Sequence, residues 1–223
     1  GGQLAFAQTT FTGGAGGNIP DATSVGADAG NPNAGIFTSD IVISGPGTII
    51  SFNSITLDDF CHTYIGDLVL ELTHVDSGTT IFFMNRPLKV SALNGWGSDS
   101  DLNGTYTFIN DLGSTYGSSD SIWLAATNNS TVPGGTYAAS ANSFTGSPTT
   151  SYVPINLNVF AGQSIAGTWE LTIRDESTND IGTLSSWQFN ATIEPVPEPA
   201  SSALMLCGAI VSLILVSFWR KPA

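Results

Sequence analysis

Two segments of this chain alternate apolar and polar residues with a period of two. Trp169, Leu171 and Ile173 stand against Thr168, Glu170, Thr172 and Arg174, and Trp187, Phe189, Ala191 and Ile193 stand against Gln188, Asn190 and Thr192. Successive side chains of a strand point to opposite faces, so each segment has one face in a core and one in water. Leu68, Leu70 and Leu72, opposed by Val69, Glu71 and Thr73, make a third such face. Short segments with strand character fall at residues 41–43, 48–57, 67–74, 79–84, 105–109, 121–125, 168–174 and 184–193, with turn signals such as Asn94-Gly95 and Asn103-Gly104 between them. No segment before the C-terminal tract sustains a helical period. The pattern predicts an all-β fold, a jelly-roll-type antiparallel β-sandwich.

The C-terminal tract is of another kind. After Val196-Pro197-Glu198-Pro199 comes an uninterrupted apolar run, residues 201–219, and then Arg220-Lys221. As a helix this run is about 28 Å long at 1.5 Å per residue, close to the roughly 30 Å hydrocarbon core of a bilayer. The run predicts one C-terminal transmembrane helix over 201–219. Its basic flank belongs on the cytoplasmic side, which puts the residues before Pro197 outside the cytoplasm.

Charge supports that placement. The chain carries 18 Asp and Glu against 5 Lys and Arg, a net charge of −13, and only Arg86, Lys89 and Arg174 are basic before the tail. Nucleic acid is excluded as a partner on these numbers. An acidic, lysine-poor chain with 25 glycines reads as an exported, solubility-tuned β protein able to recruit divalent cations, or simply as one with a solvated acidic face. Cys61 and Cys207 cannot pair, because one belongs to the exported part and the other to the membrane helix. Near the amino end, Ala5-Phe6-Ala7 fits a signal-peptidase site and makes residues 1–7 the end of a truncated signal peptide; the alternative is a linker after an upstream domain. Residues 8–35, rich in Gly, Ala, Asn and Thr, read as a flexible lead-in, with order beginning near Ile36 and the sandwich running over 36–194.

The tail over 195–223 resembles the PEP-CTERM sorting signals of bacteria that secrete exopolysaccharide, which run Pro-Glu-Pro, hydrophobic helix, basic end. Pro197, Glu198, Pro199, Arg220 and Lys221 carry that resemblance. It implies recognition by an exosortase-type processing enzyme. A GPI signal lacks the basic end, and no Leu-Pro-x-Thr-Gly sortase motif occurs.

A second resemblance spans residues 19–193. It rests on the runs His62-Thr63-Tyr64-Ile65-Gly66-Asp67-Leu68, Gly104-Thr105-Tyr106-Thr107-Phe108-Ile109-Asn110-Asp111, Phe160-Ala161-Gly162-Gln163-Ser164, Gly167-Thr168-Trp169-Glu170-Leu171 with Asp175, and Gly182-Thr183-Leu184-Ser185-Ser186-Trp187. These look like the P/Homo B domain of proprotein convertases. The resemblance implies a jelly-roll β-sandwich that follows a protease catalytic domain and supports its folding without performing catalysis. Asn110 stands where that family commonly has Asp, and Ser77-Gly78-Thr79 replaces the usual Pro-x-Gly-Thr turn.

The inventory for catalysis is poor. Only His62 and His74 offer an imidazole, and there is no Gly-x-Ser-x-Gly, His-Glu-x-x-His or Cys-x-x-Cys motif. His62, with Asp58 or Asp59 beside it, could be a base, but a turn residue bonding backbone is the reading preferred; His74 reads as exposed. Calcium is the better chemical candidate, because loop carboxylates and carbonyls supply the six to eight oxygens it needs. The candidate ligands are Asp58, Asp59, Asp67, Asp111 and Asp175. Asn103, Asn128, Asn129 and Asn190 head Asn-x-Ser/Thr triplets, expected to be unused in a bacterial source. Trp169 and Trp187 read as core, whereas Trp96 and Trp123 could form a sugar-stacking platform.

The function expected is therefore that of an exported, non-catalytic cell-surface or exopolysaccharide-matrix protein, held in the membrane by its tail or released from it. The alternative is the C-terminal accessory domain of a secreted subtilisin-like serine endopeptidase.

Overall fold

A computed structural model describes residues 6–25, 31–88, 97–110, 121–126, 129–142 and 152–194. The first half of the chain contributes β1 (Ala7–Ile19), β2 (Gly35–Ile43), β3 (Thr48–His62), β4 (Leu68–His74), β5 (Thr79–Asn85) and β6 (Asp101–Ile109). The second contributes the one-turn helix α1 (Ile122–Ala125), then β7 (Thr131–Val132), β8 (Gly135–Ala138), β9 (Ser140–Asn142), β10 (Tyr152–Pro154), β11 (Gly167–Asp175) and β12 (Gly182–Glu194).

These strands form two six-stranded sheets, as the alternation predicts. The first sheet has the order β1-β12-β3-β6-β7, with β8 also paired to β6; the second has the order β10-β9-β5-β4-β11-β2. The long strands pair antiparallel, and only β5 with β9 and β6 with β7 and β8 run parallel. Apolar faces meet between the sheets: Phe52, Ile55, Leu57, Trp187 and Phe189 from the first, and Leu70, Leu72, Phe83, Trp169, Leu171 and Ile173 from the second, all buried. The Trp187 indole N–H crosses the interface to donate to Ser39 Oγ at 2.9 Å.

Four expectations need correction. Residues 7–19 are not a flexible lead-in but an edge strand paired with β12 from Ala7↔Ile193 to Ile19↔Gly182. Their glycines are what conceal the strand: Gly14 lies against Trp187, where any side chain would collide with the indole. Most of this strand is held by backbone pairing, which leaves little hydrophobic period to read. Order accordingly begins well before Ile36. Within 121–125, residues Ile122–Ala125 turn as a helix, with Ala125 N–H donating to Ser121 O at 3.1 Å, because a short apolar run carries no decisive period; Ser121 alone bridges to Ala138. His74 is buried, 2 % exposed, and lies in phase with Leu68, Leu70 and Leu72. It closes the core by stacking on Trp169 at 4.4 Å between ring centroids.

The chain enters β4 through a single 3₁₀ turn, Ile65–Asp67. Gly66 in that turn abuts the backbone of Gly97, which a Cβ would meet at 2.6 Å, and its N–H donates to Ser98 O at 2.9 Å. Gly66→Ala is expected to cost about 1–3 kcal/mol, because the clash is with main chain and cannot be relieved by a rotamer change. An unchanged urea midpoint would show that the crossing yields freely.

Among the described residues no helix is long and apolar enough to cross a membrane. The predicted span 201–219, Cys207 and the sorting residues Pro197, Glu198, Pro199, Arg220 and Lys221 lie outside the described residues.

Candidate functional site

The turn into β4 brings ionisable groups together at one end of the sandwich. His62 closes β3, Asp67 closes the 3₁₀ turn, Arg86 follows β5 with a positive φ of 42°, and Asp175 closes β11. All four are buried. Strand register explains the meeting, since Asp175 pairs with Leu68 and the Arg86 N–H donates to Leu68 O at 2.8 Å.

Within the cluster the charges pair. Arg86 Nη2 donates to Asp67 Oδ1 at 3.1 Å, and its Nε to Gly66 O at 2.8 Å. Burial nevertheless raises the Asp67 carboxyl to about 7, with the nearby Asp175 and Asp180 pushing the same way and Arg86 opposing. His62 Nε2 faces Asp175 Oδ2 at 3.3 Å, and its Nδ1 lies 3.1 Å from the Tyr64 N–H. Nδ1 also lies 3.0 Å from Tyr64 O, so the Tyr64 backbone holds one ring nitrogen and the Asp175 carboxylate the other. Both ring nitrogens are engaged. The turn-residue reading of His62 stands.

Beside the cluster, Arg174 Nε donates to Glu176 Oε1 at 2.8 Å and Arg174 Nη2 to Asn31 O at 3.2 Å. Burial raises the Glu176 carboxyl above its ordinary range. Its Oε2, like Asn85 Oδ1, is buried without a hydrogen-bond partner among the described residues.

Of the five carboxylates expected to bind calcium, the four that are described fall in two places. Asp67 and Asp175 face Arg86 and His62 in the interior. Asp58 and Asp59 occupy a bulge of β3 on the outer side of the first sheet, where Asp58 Oδ2 accepts from Ser186 Oγ at 3.1 Å and Asp59 has a φ of 45°. Asp111 lies outside the described residues. Among the described residues no three His, Cys, Asp or Glu side chains converge to hold a metal ion. Of the tryptophans, Trp169 and Trp187 are core, Trp96 lies outside the described residues, and Trp123 belongs to α1, with its side chain outside the description.

A cleft of about 330 Å³ opens on the outer side of the first sheet, beside His62. Its floor is the cross-strand row Thr183–Cys61–Asn103, flanked by Asp101, Thr131 and Ile181. Cys61 Sγ lies 3.3 Å from Asn103 Oδ1. Away from the cleft, past the Asp58–Asp59 bulge, the same face continues in uncharged polar residues. Gln188, Thr56, Thr107 and Thr136 stand side by side on four strands, and Asn190 stands beside Ser54. The alternation identified Gln188, Asn190 and Thr192 as a solvent face; their alignment with β3, β6 and β8 depends on register and could not be read.

Residues 131–191, from β7 into β12, match the family model described as the proprotein convertase P-domain. No curated protein matches the chain. Among solved structures, the serine protease of Aeromonas sobria is 17 % identical, with 85 % of this chain and 27 % of that chain covered and a TM-score of 0.36. The complex of that protease with its chaperone gives 14 % identity, 86 % and 28 % coverage and a TM-score of 0.37. The chain spans little more than a quarter of the length of those proteins.

Proposed function

We propose that this chain is a non-catalytic, jelly-roll-type P-domain sandwich, residues 8–194, exported and carried to the cell surface or its exopolysaccharide matrix by a PEP-CTERM-type tail. The observation that carries the reading is the P-domain match over residues 131–191 on a two-sheet β fold. The engagement of both His62 nitrogens supports the non-catalytic half. The tail, with a membrane helix over 201–219 and Pro197, Glu198 and Pro199 as the exosortase-type recognition site, rests on the order of its parts in the sequence.

A second reading is favoured by the same match: an accessory domain that stabilises a serine endopeptidase catalytic domain. Such a domain would contribute packing surface and no reacting group.

Fractionation of cells producing the chain separates the possibilities. Surface or matrix recovery is expected, with Pro197, Glu198 and Pro199 all changed to Ala causing retention in the membrane fraction. Cytoplasmic recovery would overturn the export reading, and unchanged release of the triple variant would overturn exosortase recognition. Co-purification with a subtilisin-like catalytic chain would establish the accessory reading instead.

A further inference from the structure

The charges of this acidic chain are placed differently on the two outer sheet faces, mid-sheet on one and at the margins on the other. On the second sheet, Asp40 pairs directly with Glu170, and Glu71 and Arg174 stand on the same face. On the first sheet, three successive cross-strand rows carry no charge. Gln188, Thr56, Thr107 and Thr136 form one, Thr10, Asn190 and Ser54 begin the next, which continues in the apolar Ile109 and Ala138, and Gln8, Thr192 and Ser51 form the last. Among the described residues, carboxylates of this face stand beyond the array, as Glu194 at one end and the Asp58–Asp59 bulge at the other, past which the cleft opens beside Asp101.

The array is also held in place. Asn53 Nδ2 donates to Asn190 Oδ1 at 2.9 Å and to Thr192 Oγ1 at 3.1 Å, and Ser51 Oγ donates to Asn53 Oδ1 at 2.8 Å. Asn190 Nδ2 donates to Thr10 Oγ1 at 2.9 Å, and Thr56 and Thr107 share a hydroxyl–hydroxyl bond at 2.9 Å. Side chains tied to each other lose little rotamer freedom when a ligand arrives, and each amide or hydroxyl keeps further donor or acceptor capacity. Strands about 4.8 Å apart and like-facing residues about 6.8 Å apart along them give a flat lattice of such groups.

We propose that the outer face of the first sheet binds an uncharged polysaccharide, lying across these rows and reaching past Asp58 to the cleft floored by Thr183, Cys61 and Asn103. The charge distribution selects the ligand. A net charge of −13 repels anionic polymers, while the three rows, uncharged among the described residues, spare a neutral polyol any competition with ion pairs. Sugar hydroxyls both donate and accept, as do the Thr, Ser, Asn and Gln that meet them, and Asp58 and Asp59 accept from a diol at the margin. The inference deepens the surface-protein reading and rests on it only for where such a polymer is met.

The test is affinity electrophoresis of the full chain, in an uncharged and sugar-free detergent, through gels containing dextran, hydroxyethylcellulose or galactomannan, with alginate as the anionic comparison. Retardation by at least one neutral polymer is expected, unchanged by about 0.5 M NaCl because no ion pair is involved. Thr56→Ala/Thr107→Ala/Gln188→Ala should weaken it about tenfold, whereas Thr38→Ala/Thr80→Ala on the other sheet should leave it intact. Free migration in all three neutral polymers, retardation by alginate alone, or equal retardation of the triple variant would each overturn the proposal. Fractionation scores surface delivery independently, so a failure to bind is distinguishable from a failure of the surface reading.

Discussion

Trp169→Ala is expected to cost about 3–5 kcal/mol, the range for removing a large aromatic side chain from a packed core. Domains of this kind have only about 5–15 kcal/mol of stability, so the change consumes about a fifth of it or more. Trp169 is fully buried and its ring contacts Phe52, Phe160 and Phe189 at centroid distances of 5.6, 5.0 and 4.8 Å. Phe52 and Phe189 come from the first sheet and Phe160 from the 3₁₀ turn Leu157–Phe160, whereas Trp169 comes from the second sheet, so the cavity would open where the layers meet. Truncation also removes the donor that serves Ile165 O at 2.9 Å and uncovers His74. Trp169→Phe keeps the ring stack and loses that hydrogen bond, and should cost about 1–2 kcal/mol. Urea unfolding of the two variants provides the measurement. A loss below about 1 kcal/mol for the alanine variant would show that the core is not organised around this indole.

That core was readable because β11 and β12 alternate without interruption, so that Trp169, Leu171, Ile173, Trp187 and Phe189 fall on inward faces whatever the register. The same logic fails where other forces hold the strand. β1 is glycine-rich and held by backbone pairing against Trp187, and composition alone makes such a segment look like linker. His74 was misplaced because its polarity outweighed its phase; a histidine in step with Leu68, Leu70 and Leu72 belongs to their face. The polar array of the first sheet lay half open to inspection. Gln188 and Asn190 were identifiable as outward, but the rows exist only after the bulges at Asp58–Asp59 and near Asn53 restore register between β3 and its neighbours. The buried Arg86 was wholly hidden, since an arginine in a sequence is read as solvated unless its partner is known. Asp67, that partner, was identified for another role, as a calcium ligand.

Arg86→Met is expected to be pH-dependent in its cost, and the sign follows from Asp67. Arg86 is the cation facing Asp67 in the interior, at 3.1 Å, with His62 and Tyr64 from the end of β3 and the turn beyond it, Asp175 and Glu176 from β11 and the residue after it, and Asp99 and Asp180 on the adjoining loops. Burial raises the Asp67 carboxyl from 3.8 to about 7 even with the arginine present. Between those values the folded chain holds a proton that the unfolded chain has released. The stabilisation from this group is therefore complete below about pH 4 and lost as pH rises through about 7, with a slope of up to about 1.4 kcal/mol per pH unit in between. Glu71 and Glu176, also raised by burial, act in the same direction. At pH 8 the native carboxyl is ionised beside its guanidinium, whereas in the variant Arg86 no longer lowers it and the carboxyl keeps its proton, which adds up to about 1.4 kcal/mol to the cost at pH 5. At pH 5 the carboxyl is protonated in both proteins, and the loss is that of neutral hydrogen bonds such as the one from Nε to Gly66 O, each worth about 1 kcal/mol. Asp67→Asn/Arg86→Met should recover much of the pH 8 deficit, because no carboxyl remains to release a proton on unfolding. Urea midpoints of the three proteins at pH 5 and pH 8 decide the matter: an Arg86→Met cost that is equal at the two pH values would mean that the arginine is held for its packing and its bond to Gly66, and that Asp67 is not the group it neutralises.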